Sequence, residues 1–265
     1  MLPPRRVTLF AVVAFLLAIG PASSSARAQL NRWLELDGDP LKDPHVGVRV
    51  NLSNAGGKFI SVGLAKRSDI ARARYVGSKG EVDLAGRLRE QDLRLVELPI
   101  EVWNDSPGWV AVDWALTEWE WPAARWRQFL ATEMLLDRIR PDEKPVRLRK
   151  VNFYKLLVQR GGGTSAAVTK PVGQGLEIVP ITDPLGSSNM VPVRVLLRGA
   201  PAPNVRVVAQ LMEGFGGSSA KTDSEGKATL ALDGRGAWVL GAVVVTDKEG
   251  GLQEVMTSAV TFHRR

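Results

Sequence analysis

The sequence predicts a mainly β protein: two β-sandwich-like domains, the carboxy-terminal one immunoglobulin-like or transthyretin-like, with one helix in the amino-terminal domain. Three observations predict it. Apolar and polar residues alternate over many short runs. Turn-forming residues, glycine prominent among them, separate those runs at regular spacing. One stretch alone carries a helical period. Period-2 patterning between turn signals is what half-buried strands require, and many such strands in series build a sandwich.

Taken in chain order, 46–52, 58–64, 93–103 and 109–116 alternate or are rich in β-formers, and read as strands. Pro122 suits the first turn of a helix. Trp126, Leu130 and Met134 follow four apart, with Phe129 and Leu136 seven apart. This apolar stripe predicts a helix lasting to about Ile139, and Pro141 ends it. The stretch 151–161, "VNFYKLLVQRG", returns to strand. "GGGTSAAVTKPVGQG", 161–175, has the composition of a linker or long loop. Its glycines lack the following helix and lysine–serine pair that a phosphate cradle needs. Beyond it, 176–179, 191–197, 205–211 and 258–262 are further strands. "TDSEGKATLALDGRGAWVLG", 222–241, reads as turn, strand, turn, strand, the pattern of a hairpin. Trp238, Leu240 and Ala242 share one face there, which predicts a buried Trp238. The basic run "VRLRK", 146–150, reads as the solvated side of a strand.

The chain opens with Arg5 and Arg6, an apolar run over 7–19, and Ala26-Arg27-Ala28. That is the layout of a secretory signal whose apolar part is too short to span a bilayer comfortably. The expected organisation is a signal peptide over 1–28, an amino-terminal β-rich domain over 29–160, a linker or long loop over 161–175, and a carboxy-terminal sandwich over 176–265. The expected location is periplasmic or secreted, with no stable membrane insertion after cleavage. Removing Arg5, Arg6 and Arg27 from the 35 Lys and Arg leaves 32 bases against 28 acids. The sequence pI of 9.9 therefore belongs partly to the leader, and a nucleic-acid partner is not expected.

There are no cysteines and two histidines, His45 and His263. Disulfides, thiol nucleophiles and thiolate metal sites are thereby excluded. The histidines lie at opposite ends of the chain, so no paired-ligand spacing arises. No nucleophile–base pair or cofactor fingerprint is present, and the chain is not expected to be an enzyme. Catalytic and cofactor-binding residues are accordingly none. His45, in "KDPHVG", is the single weak candidate for a metal ligand.

The ordered pieces "RWLEL", "WVAVDWALTEWEWPAARWRQFLATEMLLDRI", "NFYKLLVQRGG", "VGQGLEIVPITDP" and "VPVRVLLRGAPAPNVRVVA", together with 222–241, resemble a large bacterial family of exported, β-rich domains of unknown function. Some members of that family are assigned to nickel or cobalt uptake systems as periplasmic components. The resemblance implies a periplasmic binding or auxiliary protein and a membrane transporter component as partner. Family members open the mature chain with a histidine in a pattern like His-Asp-Phe-Trp-Leu-Glu-Pro. Setting Trp33-Leu34-Glu35 on that pattern puts Leu30 at the histidine position. Leucine offers no lone pair, so the implied metal ligand is lost here.

Seven of the eight tryptophans precede residue 127. Trp119 and Trp121 lie two apart, so on a strand they share a face, with Glu118 and Glu120 opposite. Two coplanar indoles there would form a contact surface for a glycan or a protein. The alternative to a transport-associated protein is therefore an envelope structural or interaction module. The bland alternative for the indoles is that they pack beneath the helix.

Overall fold

The computed structural model describes residues 32–37, 45–52, 66–91, 95–101, 107–141, 144–159, 165–213 and 216–264. The expected signal segment, its cleavage position, Leu30 and the strand expected over 58–64 lie outside the described residues. Among the described residues the chain is mainly β, with one α-helix, as its patterning predicts.

The amino-terminal half contributes β1 (Arg32–Asp37), β2 (His45–Leu52), β3 (Ile70–Gly77), β4 (Gly80–Asp83), β5 (Arg89–Gln91), β6 (Leu95–Glu101), β7 (Gly108–Trp114), β8 (Thr117–Trp121), α1 (Ala123–Thr132) and β9 (Val146–Val158). The carboxy-terminal half contributes β10 (Leu176–Pro180), β11 (Met190–Leu197), β12 (Ala200–Pro201), β13 (Arg206–Leu211), β14 (Gly217–Lys221), β15 (Lys227–Ala231), β16 (Gly236–Asp247) and β17 (Gln253–Arg264).

A nine-stranded sheet forms the middle layer, in the order β14-β13-β16-β17-β9-β7-β3-β4, with β8 also paired to β9. Its pairings are antiparallel except one. β17 runs parallel to β9, from Gln253 opposite Leu148 to Thr261 opposite Leu156. Strands from both halves of the chain thus belong to one hydrogen-bonded sheet.

Period-2 alternation sorts the middle sheet's side chains onto two faces. Trp109, Ala111, Trp238, Leu240, Ala242, Met256 and Val260 point to one side. There they meet Leu176, Ile178, Val191, Val193, Val195 and Leu230 of the small sheet formed by β10, β11, β12 and β15. Trp238 is fully buried, as its parity predicts. The other face carries Val110, Val112, Tyr154, Leu156, Val239 and Ala259, covered by Leu34 and Val48 of the sheet β1-β2-β6-β5. Further along, Leu148, Val243, Val245 and Val255 are covered by Trp126 and Leu130 of α1.

Two local expectations are corrected, and a third gains detail. The stretch 222–241 is not a hairpin. Its first turn forms as expected: the Gly226 amide donates to Asp223 O (3.0 Å), and Asp223 Oδ1 accepts from the Glu225 and Lys227 amides at 2.9 Å each. Gly226 takes φ 72°, and a Cβ there would sit 2.7 Å from Val195 O, so no side chain fits. After β15, however, the chain leaves the small sheet. β15 pairs with β11, whereas β16 pairs with β13 and β17 in the middle sheet. The 232–235 connection is an arch between layers. Leu232 and Trp238 both reach the shared core, and the Leu232 amide donates to Asn189 O at 2.7 Å. Arg264 ties the arch down, donating to Leu232 O (2.6 Å), Ser188 O (2.8 Å) and Gly186 O (3.0 Å).

The helix also stops at Thr132 rather than near Ile139. The Leu135 amide donates to Leu130 O (2.8 Å) and the Met134 amide to Ala131 O (3.1 Å), with Met134 at φ 59°. This is a Schellman stop, in which Leu130 and Leu135 join the same apolar cluster. Pro122 sits one place earlier than expected, as the capping residue.

The 165–175 part of the expected linker carries a short 3₁₀ turn at Ala166–Thr169. It buries Val168 and Val172 in the core beneath β10.

Candidate functional site

α1 crosses the reverse face of the middle sheet where β8 pairs with the start of β9. In that register Trp119 lies opposite Leu148 and Trp121 opposite Val146, so both indoles point toward the helix. Glu118 and Glu120 point the other way, opposite Arg149 and Arg147. Glu118 closes an exposed ion pair with Arg149 at 2.7 Å.

The two indoles share a face, as their spacing requires, with ring centroids 6.0 Å apart. They are not coplanar: their planes meet at 54°. Trp121 lies 5.7 Å from Phe129 and 6.4 Å from Trp126, and Trp126 stacks on Phe129 at 5.3 Å. Trp126 and Phe129 of α1 thus pack against Trp121. The Arg125 guanidinium sits 4.6 Å over the Trp121 ring. Both indoles remain half-buried. The cluster is thus an aromatic layer beneath the helix that keeps an exposed margin.

Two recesses open beside this layer. One, of about 280 Å³, is lined by Glu118, Trp119, Glu120, Arg147, Leu148 and Leu252. The other, of about 530 Å³, lies between α1, residues 137–140 and 144–147, and the turn joining β16 to β17. Arg147 borders both. The larger recess is basic, carrying Arg138, Arg140, Lys144 and Arg147 against Asp137 and Asp247. Asp247 accepts from Gln253 Nε2 (2.8 Å) and from Arg138 (3.4 Å). The Gln253 hydrogen bond, then the charges of Arg138 and Arg140, hold its carboxyl below the ordinary carboxylate value.

The histidines do not join this end. His45 opens β2 opposite Glu101, and His263 lies exposed near the end of β17, opposite Ala237. Among the described residues, no three of His, Cys, Asp or Glu gather in a metal-binding arrangement.

A second polar constellation was not singled out by the sequence. Lys155 of β9 and Glu177 of β10 form a buried ion pair at 2.7 Å. Glu177 also accepts from the amides of Val172 (2.8 Å), Gly173 (3.0 Å) and Gln174 (3.3 Å). Gln174 Nε2 donates to Asp113 (2.8 Å), and Arg74 donates to Asp113 (3.1 Å) and to Val172 O (2.7 Å). The Lys155 ammonium lies 4.7 Å over the Trp109 ring. Burial pushes its pKa down, opposed by Glu177. The available signal was parity. Lys155 shares the inward face of β9 with Phe153 and Leu157, whereas alternation puts Glu177 on the face opposite Leu176 and Ile178 and gives no sign of its burial. These groups are spent on one another, and they pin the 165–177 segment to the middle sheet.

With this geometry in place, comparison with known proteins gives a family. Residues 32–246 match the model of a domain of unknown function, DUF4198. The chain belongs to that family. Both the aromatic layer and the buried ion pair lie within the matched DUF4198 region. No curated protein matches this sequence. Among solved structures, the BSP domain of a biofilm associated protein shares 11% identity over 88% of this chain and 29% of its own, with a TM-score of 0.21. Dimeric latent PorU from Porphyromonas gingivalis shares 11% over 92% of this chain and 21% of its own, also at 0.21. A two-domain fibronectin type III segment from chicken tenascin shares 13% over 86% of this chain and 98% of its own, at 0.23. The chain spans less than a third of the first two. Scores this low carry no argument about fold or function.

Proposed function

We propose that this chain is a non-enzymatic binding or auxiliary protein of the periplasm, working through the end of the molecule where α1 crosses β8 and β9. One observation supports the reading: half-exposed indoles and two adjoining recesses coincide there. Ligand sites are typically concave, with apolar walls and a few polar groups, and this end has all three. The resemblance to nickel or cobalt uptake components points to a membrane transporter component as partner, with the metal ligand at position 30 lost. A second reading, an envelope module contacting protein or glycan, is favoured by the open edge of Trp119 above the smaller recess.

Calorimetric titration of the processed, untagged protein separates these readings. Nickel and cobalt chloride are expected to bind no tighter than about 10 μM, roughly 7 kcal/mol, because borderline ions recruit imidazole or thiolate. Leu30→His should tighten nickel binding. Sub-micromolar nickel binding that disappears in His45→Ala would overturn the loss of the metal role. Soluble N-acetylglucosamine oligomers test the glycan arm of the second reading: binding weakened by Trp119→Ala and by Glu120→Gln supports it, and no binding removes that glycan.

A further inference from the structure

The larger recess has a chemistry that the aromatic layer does not explain. Arg140, Lys144 and Arg147 are all exposed around it, and none closes an ion pair among the described residues. Arg138 is the exception, and its partner is informative. Asp247 engages Arg138 from one side and Gln253 from the other. Asp247 and Arg138 both line the recess, and the Asp247 carboxylate accepts from the Arg138 guanidinium at 3.4 Å. The cavity of about 530 Å³ is the size of a small-molecule site. Its walls come from separate stretches of chain: α1 with Arg127, residues 137–140 and 144–147, and Gly250 and Gly251 of the β16–β17 turn. Neither glycine carries a side chain that could fill the space between the cations.

Cations in excess of acids around a concave site attract anions, and the planar guanidinium fork matches a carboxylate or phosphate in bidentate fashion. We propose that this recess binds a small multivalent oxyanion, one whose carboxylate or phosphate groups are shared among Arg140, Lys144 and Arg147, with Arg138 prepositioned by Asp247. The proposal rests on the reading of this end as a binding surface and names the chemical class of its ligand. The recognition is electrostatic and tolerant of the carrier, so the anionic groups matter more than the skeleton that bears them. It is also salt-sensitive, because the cations are exposed.

The test is calorimetry on the purified protein with two probes, sodium citrate and sodium pyrophosphate, in metal-free buffer at low ionic strength. At least one is expected to bind saturably, with Kd of about 100 μM or tighter. The pair distinguishes a carboxylate ligand from a phosphate ligand. Arg140→Gln with Lys144→Gln should weaken binding by roughly tenfold or more, while the melting temperature stays within a degree or two, because both side chains are exposed. Arg147→Gln is the second variant, on β9 rather than on the loop. No saturable binding of either probe below about 1 mM overturns the proposal. So does binding that all these variants leave unchanged. If the oxyanions fail while a glycan binds through Trp119, the binding-surface reading stands and the anion assignment falls.

Discussion

Lys155 is an ammonium with no access to water, held by one carboxylate and one indole face. Removing a single partner of a buried pair leaves the other charge uncompensated, at a cost of about 3–5 kcal/mol. Lys155→Met should destabilise the protein by that amount, read from urea unfolding, and Glu177→Gln in addition should recover part of it. The pH dependence has a definite sign. Burial lowers the folded-state pKa below the ordinary 10.5. Between the two values the unfolded chain binds more protons, so wild-type stability relative to Lys155→Met rises with pH as 10.5 is approached. Below the folded value the difference is flat. A wild-type advantage that falls over that alkaline window would mean the folded pKa is raised instead. The network around Lys155 also shows what the sequence conceals at this scale. Arg74, Asp113, Lys155 and Glu177 come from four strands, with Gln174 beside them. Each looks like an ordinary surface charge until pairing brings them together. The Trp119–Trp121 pair, by contrast, was legible because two residues on one strand need no pairing to share a face.

At the scale of single elements, strands were the legible part and their connections were not. Alternation placed Val191, Val193 and Val195 on one buried face, and Val207 and Ala209 on another, and the structure agrees. Alternation does not say which sheet a strand joins. Asp233-Gly234-Arg235-Gly236 has the residues of a tight hairpin turn and forms an arch instead, because β11 and β13 capture β15 and β16 separately. The helix end was misplaced for a related reason. Met134 and Leu136 continue the apolar spacing, but both are exposed, and the stop lies in backbone conformation rather than polarity. That gives a prediction. A methionine at φ 59° carries a left-handed strain that glycine avoids. Met134 is also 49% exposed, so truncating it removes little packing. Met134→Gly should stabilise the protein by roughly 0.5–1 kcal/mol, measured by thermal or urea unfolding. Destabilisation would show that the Met134 side chain contributes more to packing than its exposure implies.

For the whole molecule, the proposed periplasmic role requires export. Cleavage after Ala28 should give a protein recovered from the periplasm whose intact mass begins at Gln29, whereas a full-length membrane-bound product would remove that role. A larger question is whether the halves are separable. Composition at 161–175 marks a boundary, and 176–265 alone has enough strands for a sandwich. The sheet argues differently. β17 is hydrogen-bonded on both edges, to β16 and, across the boundary, to β9. The reverse face of β16 and β17, with Val239, Val243, Val245 and Val255, is covered by residues of the amino-terminal half. Cutting the chain at 175 would expose those valines, each worth about 1.5–3 kcal/mol when buried. It would also strand Glu177 without Lys155 and open a long edge on β17. Together these losses are comparable with the roughly 5–15 kcal/mol that keeps a domain folded. The 176–265 fragment should therefore fail to give a stable monomer. The full chain should unfold in one urea transition, coincident by tryptophan fluorescence and far-ultraviolet circular dichroism. Two separated transitions, or a monomeric fragment with native-like amide dispersion by NMR, would show that the sandwich stands alone and that the parallel β9–β17 pairing joins two independently stable units.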